Sequence, residues 1–221
     1  MTPIRAVLLD AAGTLMHFGD PAAAMTRRLR DEGFGNPPDA VAAALADEIA
    51  FYRGRMAAAR TPEALEDLRD ECARVFRSAL PQPPPVDVAR RTLLGVLVPQ
   101  LFPEVAEVLD ALRARGLRLA VVSNWDITLR GRLADLGVAD RFDAVFASAE
   151  VGVSKPDPVI FHMACDALGV EPADALHCGD DEANDLGGAR GAGCRAVLVH
   201  RGAGAPPGAI RDLRPLVELA L

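Results

Sequence analysis

Lysine is almost absent from this chain of 221 residues: of its 24 basic side chains only Lys155 is a lysine, and the rest are arginines. A compact, flexible ammonium fits between several carboxylates where a planar guanidinium fork does not. The one lysine, in EVGVSKPDPVIF, therefore marks a position with a chemical reason behind it. Aromatic residues are scarce too, with one Trp and one Tyr, which argues against stacking platforms for bases or sugars. Cysteine is confined to Cys72, Cys165, Cys178 and Cys194 at wide spacings. Without a paired CxxC neither a zinc site nor a disulfide framework is indicated, and the four read as reduced, half-buried apolar residues. No run approaches the roughly 18 consecutive apolar residues of a membrane span. Arg5 and Asp10 interrupt the opening stretch MTPIRAVLLDAAGTL, so it does not read as a signal peptide. A cytoplasmic protein with no membrane partner is expected. Excess positive charge is also missing: the net charge is −7 and the arginines are scattered among acids, so no basic stripe for nucleic acid exists. An anionic small-molecule substrate would have to be drawn by a local site or a bound cation.

Half of the residues are hydrophobic, enough for one full core plus an inserted subdomain. Five short apolar runs, at residues 4–9, 117–122, 144–147, 175–178 and 196–199, read as strands whose two faces must both be covered. Amphipathic stretches at 103–116, 127–137, 158–169 and 183–193 supply the cover, each running into a glycine near its end. This alternation predicts an α/β fold, a Rossmann-like doubly wound parallel sheet. From residue 16 to residue 99 the alternation stops and alanine-, arginine- and glutamate-rich helical patterns take over. The expected organisation is a core of residues 1–15 and 100–221 with an all-helical cap, 16–99, inserted after the first strand. Segments 39–60 and 61–80 would be its main helices, the second with Thr61 as N-cap and Pro62 at its first position.

Chemistry-bearing residues fall at the ends of the predicted strands. Asp10 closes the first and is followed by AAGTL; Ser123 closes the second in VVSNWD; Lys155 follows the third; Asp180, Asp181 and Asp185 follow the fourth in HCGDDEANDLGG. In an open parallel sheet the carboxyl ends of the strands face the ligand crevice. Acid, hydroxyl, amine and acid cluster would converge there. Taken singly, Asp10 reads equally well as a turn acid, and the later aspartates as the charged start of a helix; in this order they read as one site.

These four segments resemble the motifs of the haloacid dehalogenase superfamily of hydrolases, in the subclass with a helical cap inserted after the first strand, and the resemblance covers nearly the whole chain. It implies that Asp10 is the catalytic nucleophile, that Lys155 balances charge, and that Ser123, with Asn124 beside it, and Thr14 bind substrate or orient the nucleophile. It further implies Mg2+ held by Asp10, the Ala12 carbonyl, Asp180 and Asp185. Carboxylates this close would repel one another unless cations intervene, and magnesium favours oxygen ligands. Arg53, in the cap segment FYRGR, is the candidate grip on a substrate anion, against the plainer reading of a solvated helix face.

The resemblance breaks at residue 12. Phosphatases of the superfamily carry a general acid and base aspartate there, and this chain has Ala12. Three readings follow: a metal-dependent phosphohydrolase acting on substrates with good leaving groups or borrowing another acid; a metal-independent haloacid dehalogenase; or a catalytically silent relative that binds a ligand. His17 and Asp20 are the nearest replacement acids in sequence, although a solvated entrance to the cap explains both. Phosphonoacetaldehyde hydrolase also carries alanine at this position but needs a cap lysine for a Schiff base, and the cap here has none.

Overall fold

The computed structural model describes residues 3–220. They divide into two compact units, one made of the described residues up to His17 together with those from Leu101 onward, and one of residues 18–100.

The first unit is built on a five-stranded parallel sheet: β1 (Ala6–Leu9), β2 (Arg118–Ser123), β3 (Ala144–Ala147), β4 (Ala175–Gly179) and β5 (Arg195–Leu198), in the spatial order β3-β2-β1-β4-β5. Side chains alternate across a strand, and here both faces are covered. Val7, Leu9, Leu119, Val121, Leu176 and Cys178 face one apolar layer with Val105, Leu109, Leu112, Leu129 and Leu133. Ala6, Leu8, Ala120 and Val122 face the other, with Ile160, Phe161, Ala164 and Leu168. Leu9 and Leu119 are fully buried, so truncating either to alanine costs about 2–5 kcal/mol. This two-sided burial is why the strands read as near-continuous apolar runs and not as alternating ones.

The register sets the site. Leu9 lies beside Val121 on one flank and Cys178 on the other, while Ser123 pairs with Ala147 and Gly179 with Leu198. The residue after Leu9 therefore emerges between the ends of β2 and β4, where Ser123 and Gly179 also emerge.

The second unit contains four helices, α1 (Pro21–Asp31), α2 (Pro38–Arg55), α3 (Pro62–Ser78) and α4 (Val86–Val96). They pack around Met25, Leu29, Val41, Leu45, Phe76 and Leu93. Thr61 caps α3 by accepting a hydrogen bond from the Ala64 N–H at 3.2 Å, with Pro62 at the first helical position. Asp20 caps α1 in the same way, accepting from Ala23 at 2.9 Å. Helices covering the sheet include α5 (Val105–Ala114), α6 (Leu129–Asp135), α7 (Ser148–Val151) and α8 (Pro158–Leu168). The helix expected over 183–193 is instead a π-helical turn, Glu182–Gly187, followed by the single turn Gly188–Gly191. All four cysteines are free and buried, deeper than their sequence context suggested. No helix among the described residues is long and apolar enough to cross a membrane.

Candidate active site

Asp10 continues β1 by donating its backbone N–H to the Cys178 carbonyl at 2.9 Å, which fixes where its carboxylate begins. Lys155 donates from Nζ to Asp10 Oδ1 at 2.6 Å and also to Asp185 Oδ1. All three residues are buried. Lys155 is itself clamped at the backbone: its N–H donates to Asn124 Oδ1 at 2.8 Å, and the Asn124 amide donates back to the Lys155 carbonyl at 2.9 Å. The side chain of Asn124, expected to meet substrate, is thus committed to placing the lysine. The Ser123 hydroxyl acts, as the smallest of several influences, to lower the Asp10 carboxyl.

Asp185 is the most completely satisfied acid of the group. Its Oδ1 also receives a hydrogen bond from His177 Nε2 at 2.9 Å, and its Oδ2 accepts the Asp181 N–H at 3.0 Å. His177 is fully buried on β4 and is also a donor to the site. Only the ring's placement on β4, eight residues before Asp185, could have signalled this. Asp181, grouped in sequence with the site acids, instead caps the turn after it, accepting from Ala183 at 2.9 Å and Asn184 at 2.8 Å. Gly179 is required at the strand end because a Cβ there would lie 2.0 Å from the Asp185 carboxyl carbon.

Charge balance around these acids is incomplete. One carboxylate oxygen from each of Asp10, Asp180 and Asp185 lies within 4.8 Å of the other two. Burial acts to raise the Asp185 carboxyl, but the His177 hydrogen bond and the Lys155 charge outweigh it and hold the group well below the usual range. Burial raises the Asp10 carboxyl despite the opposing pull of Lys155, with the charge of Asp185 adding to the rise. Partial desolvation, followed by repulsion from Asp10 and Asp185, pushes the more open Asp180 up to about 6. Lys155 is desolvated, yet its two carboxylates keep it charged and raise its pKa. One ammonium thus faces three acids. An all-oxygen set with surplus negative charge suits a hard divalent cation.

Other expected site residues have different places. Thr14 is fully buried, and its hydroxyl has no hydrogen-bond partner among the described residues, so it does not orient Asp10 through such a bond. Its carbonyl, with that of Gly13, accepts from Arg201, a residue of the loop after β5. Ala12 presents only a methyl group. His17 stacks against Phe102 with ring centroids 4.7 Å apart, and Asp20 is spent on the α1 cap. Arg53 is exposed near the end of α2, in the second unit.

A doubly wound sheet thus carries a buried lysine that bridges Asp10, at the end of β1, and Asp185, in the turn after β4. Residues 4–193 match the haloacid dehalogenase-like hydrolase model, and the chain belongs to that family. It is 42% identical over 135 residues to a phosphoserine phosphatase of Thermus thermophilus, an alignment covering 58% of this chain and 54% of that protein. The chain spans about half the length of the curated relatives it matches. Its structure is similar to the L-2-haloacid dehalogenase RSc1362, with a TM-score of 0.76 and 26% identity over 99% of each chain. It is also similar to the Bacillus subtilis HAD-hydrolase YfnB, determined bound to magnesium, with a TM-score of 0.76 and 18% identity over 99% of each chain.

Proposed function

We propose that this hydrolase is a Mg2+-dependent phosphohydrolase that acts on a small phosphorylated metabolite through an intermediate on Asp10. The observation that carries this reading is the excess of acid over base at the strand ends: Asp10, Asp180 and Asp185 gather around one lysine. Asp10, Asp180 and the Ala12 carbonyl would hold the ion, with Asp185 behind them. When bound, the ion offsets negative charge, so that a phosphate can approach a carboxylate.

The chain's own residues do the rest. Lys155 anchors Asp10 Oδ1 and orients the carboxylate for attack. Asp10 forms an O–P bond as the bond to the leaving group breaks, and the leaving oxygen departs with the electron pair. Ser123 turns its hydroxyl to a phosphoryl oxygen. Water then attacks phosphorus, the Asp10–P bond breaks, and Asp10 is regenerated. With a methyl at position 12, that position offers no acid to protonate the leaving oxygen, so the best substrates are those whose leaving group is already acidic, such as acyl and aryl phosphates. Arg53 is the proposed determinant of substrate choice. The phosphatase named among the relatives supports the reaction class.

One observation favours a second reading. Ala12 and the likeness to a 2-haloacid dehalogenase fit displacement of a halide, which leaves without a proton. A panel of acyl phosphates, aryl phosphates, sugar phosphates and 2-haloacids, with and without Mg2+, separates the two. Phosphate release that needs the metal supports the first reading, halide release without it the second. No turnover of any of them leaves a ligand-binding relative.

A further inference from the structure

We propose that Arg201 is a positioning residue that holds the turn after Asp10 in the conformation that binds the divalent cation. This rests on the metal-dependent reading above.

Arg201 leaves the loop after β5 and spends its guanidinium on four neighbours. Nη2 donates to the Thr14 carbonyl at 2.6 Å and Nε to the Gly13 carbonyl at 3.2 Å. Nη1 pairs with Glu104 Oε1 at 2.8 Å, and the plane lies over the Phe102 ring, 3.4 Å from its centroid. Only 18% of the Arg201 side chain and 4% of the Glu104 side chain remain exposed. Glu104 is fixed in turn by the Leu213 N–H at 3.3 Å. A loop residue that reached solvent would not be built into a buried ion pair and two backbone acceptors at once. The fork geometry, which serves two carbonyls together, is particular to arginine.

The two carbonyls it grips follow directly on the peptide that matters. The Gly13 N–H donates to the Met16 carbonyl at 2.8 Å. In a planar trans peptide the N–H and C=O point in opposite directions, so the Ala12 carbonyl is aimed away from Met16. Gly13 adopts a φ of +81°, and a Cβ there would sit 2.2 Å from Asp180 Oδ2. Gly13, lacking a side chain, thus leaves room for the Asp180 carboxylate on one side and is held by Arg201 through its carbonyl. Loss of that hold frees the turn to rotate, and the Ala12 oxygen and Asp180 lose their shared geometry. Arg201 touches neither the reacting atoms nor the ion.

The test is calorimetric titration of Mg2+ into substrate-free protein, wild type and two variants, alongside thermal melts without metal. Arg201→Lys keeps a charge for Glu104 but cannot serve both carbonyls; Arg201→Met keeps the length and removes both functions. Outer partners of metal ligands are worth about 10- to 100-fold in affinity. Both variants should lose Mg2+ affinity in that range, with Arg201→Lys melting close to wild type. Wild-type affinity in Arg201→Lys, whatever its melting temperature, overturns the proposal and leaves the metal reading standing. A wild-type protein that binds no Mg2+ overturns both.

Discussion

Lys155 and Asp10 stand 145 residues apart in the chain and meet at 2.6 Å, with 2% and 9% of their side chains exposed. The same ammonium reaches Asp185, so the lysine acts as the shared counterion of two buried acids. Removing one partner from such a group strands the other charges in a desolvated place. Lys155→Met should therefore destabilise the protein by about 3–5 kcal/mol, measured by urea denaturation. Lys155→Arg should not restore full stability, because the planar fork cannot occupy the same gap. Wild-type stability in the methionine variant would contradict the pairing.

The acids around that lysine set a pH dependence. Asp180, raised to about 6 in the folded protein from an ordinary 3.8, binds its proton more tightly folded than unfolded. Its contribution to stability is full below its unfolded value and is lost as pH rises through about 6. Asp185, held low, contributes in the opposite sense, and its share is lost only in stronger acid. A metal must displace the Asp180 proton, so Mg2+ affinity should fall roughly tenfold per pH unit below about 6. Titrations at about pH 7.5 and about pH 5 read this directly, and equal affinities would remove Asp180 from the ligand set.

His177 supports Asp185 from inside the sheet. Replacing it with leucine removes a donor from a buried carboxylate and should cost about 1–3 kcal/mol. His177→Gln, which still offers an N–H, should recover part of the loss in the same melt. An unchanged leucine variant would show that the 2.9 Å contact carries no weight.

Ala12→Asp should raise turnover of substrates with poor leaving groups more than that of acyl phosphates. The ceiling is the roughly 10²- to 10⁴-fold contribution of positioned proton transfer. Steady-state rates on a sugar phosphate and an acyl phosphate give the comparison. Equal effects on both would place the limiting step elsewhere.

The strands and the order of the site residues were legible because their signals are local and repeated. Runs such as residues 6–9 and 119–122 are buried on both faces, so their apolar character is continuous. Strand-end residues in a parallel sheet converge by topology alone, which brings Asp10, Ser123 and Asp180 to one edge. Roles set by partners far along the chain were not legible. Asn124 reads as a neighbour of Ser123 until Lys155 folds against it. Arg201 sits in a glycine- and proline-rich run that looks like surface, and only the contacts with Glu104 and the Asp10 turn reveal its function. Asp20 and Asp181 are ordinary-looking acids whose carboxylates are consumed by N–H groups two or three residues ahead. Such a cap competes with a catalytic role for the same oxygens.

The most direct measurement concerns Asp10 itself: turnover of an aryl phosphate with Mg2+ by wild type and Asp10→Asn, with mass analysis of the acid-quenched peptide that contains residue 10. Asparagine keeps the shape but is not a nucleophilic carboxylate. The account predicts a phosphoryl group on that peptide in the wild type and neither label nor turnover in the variant. Phosphate release by Asp10→Asn at the wild-type rate would contradict it.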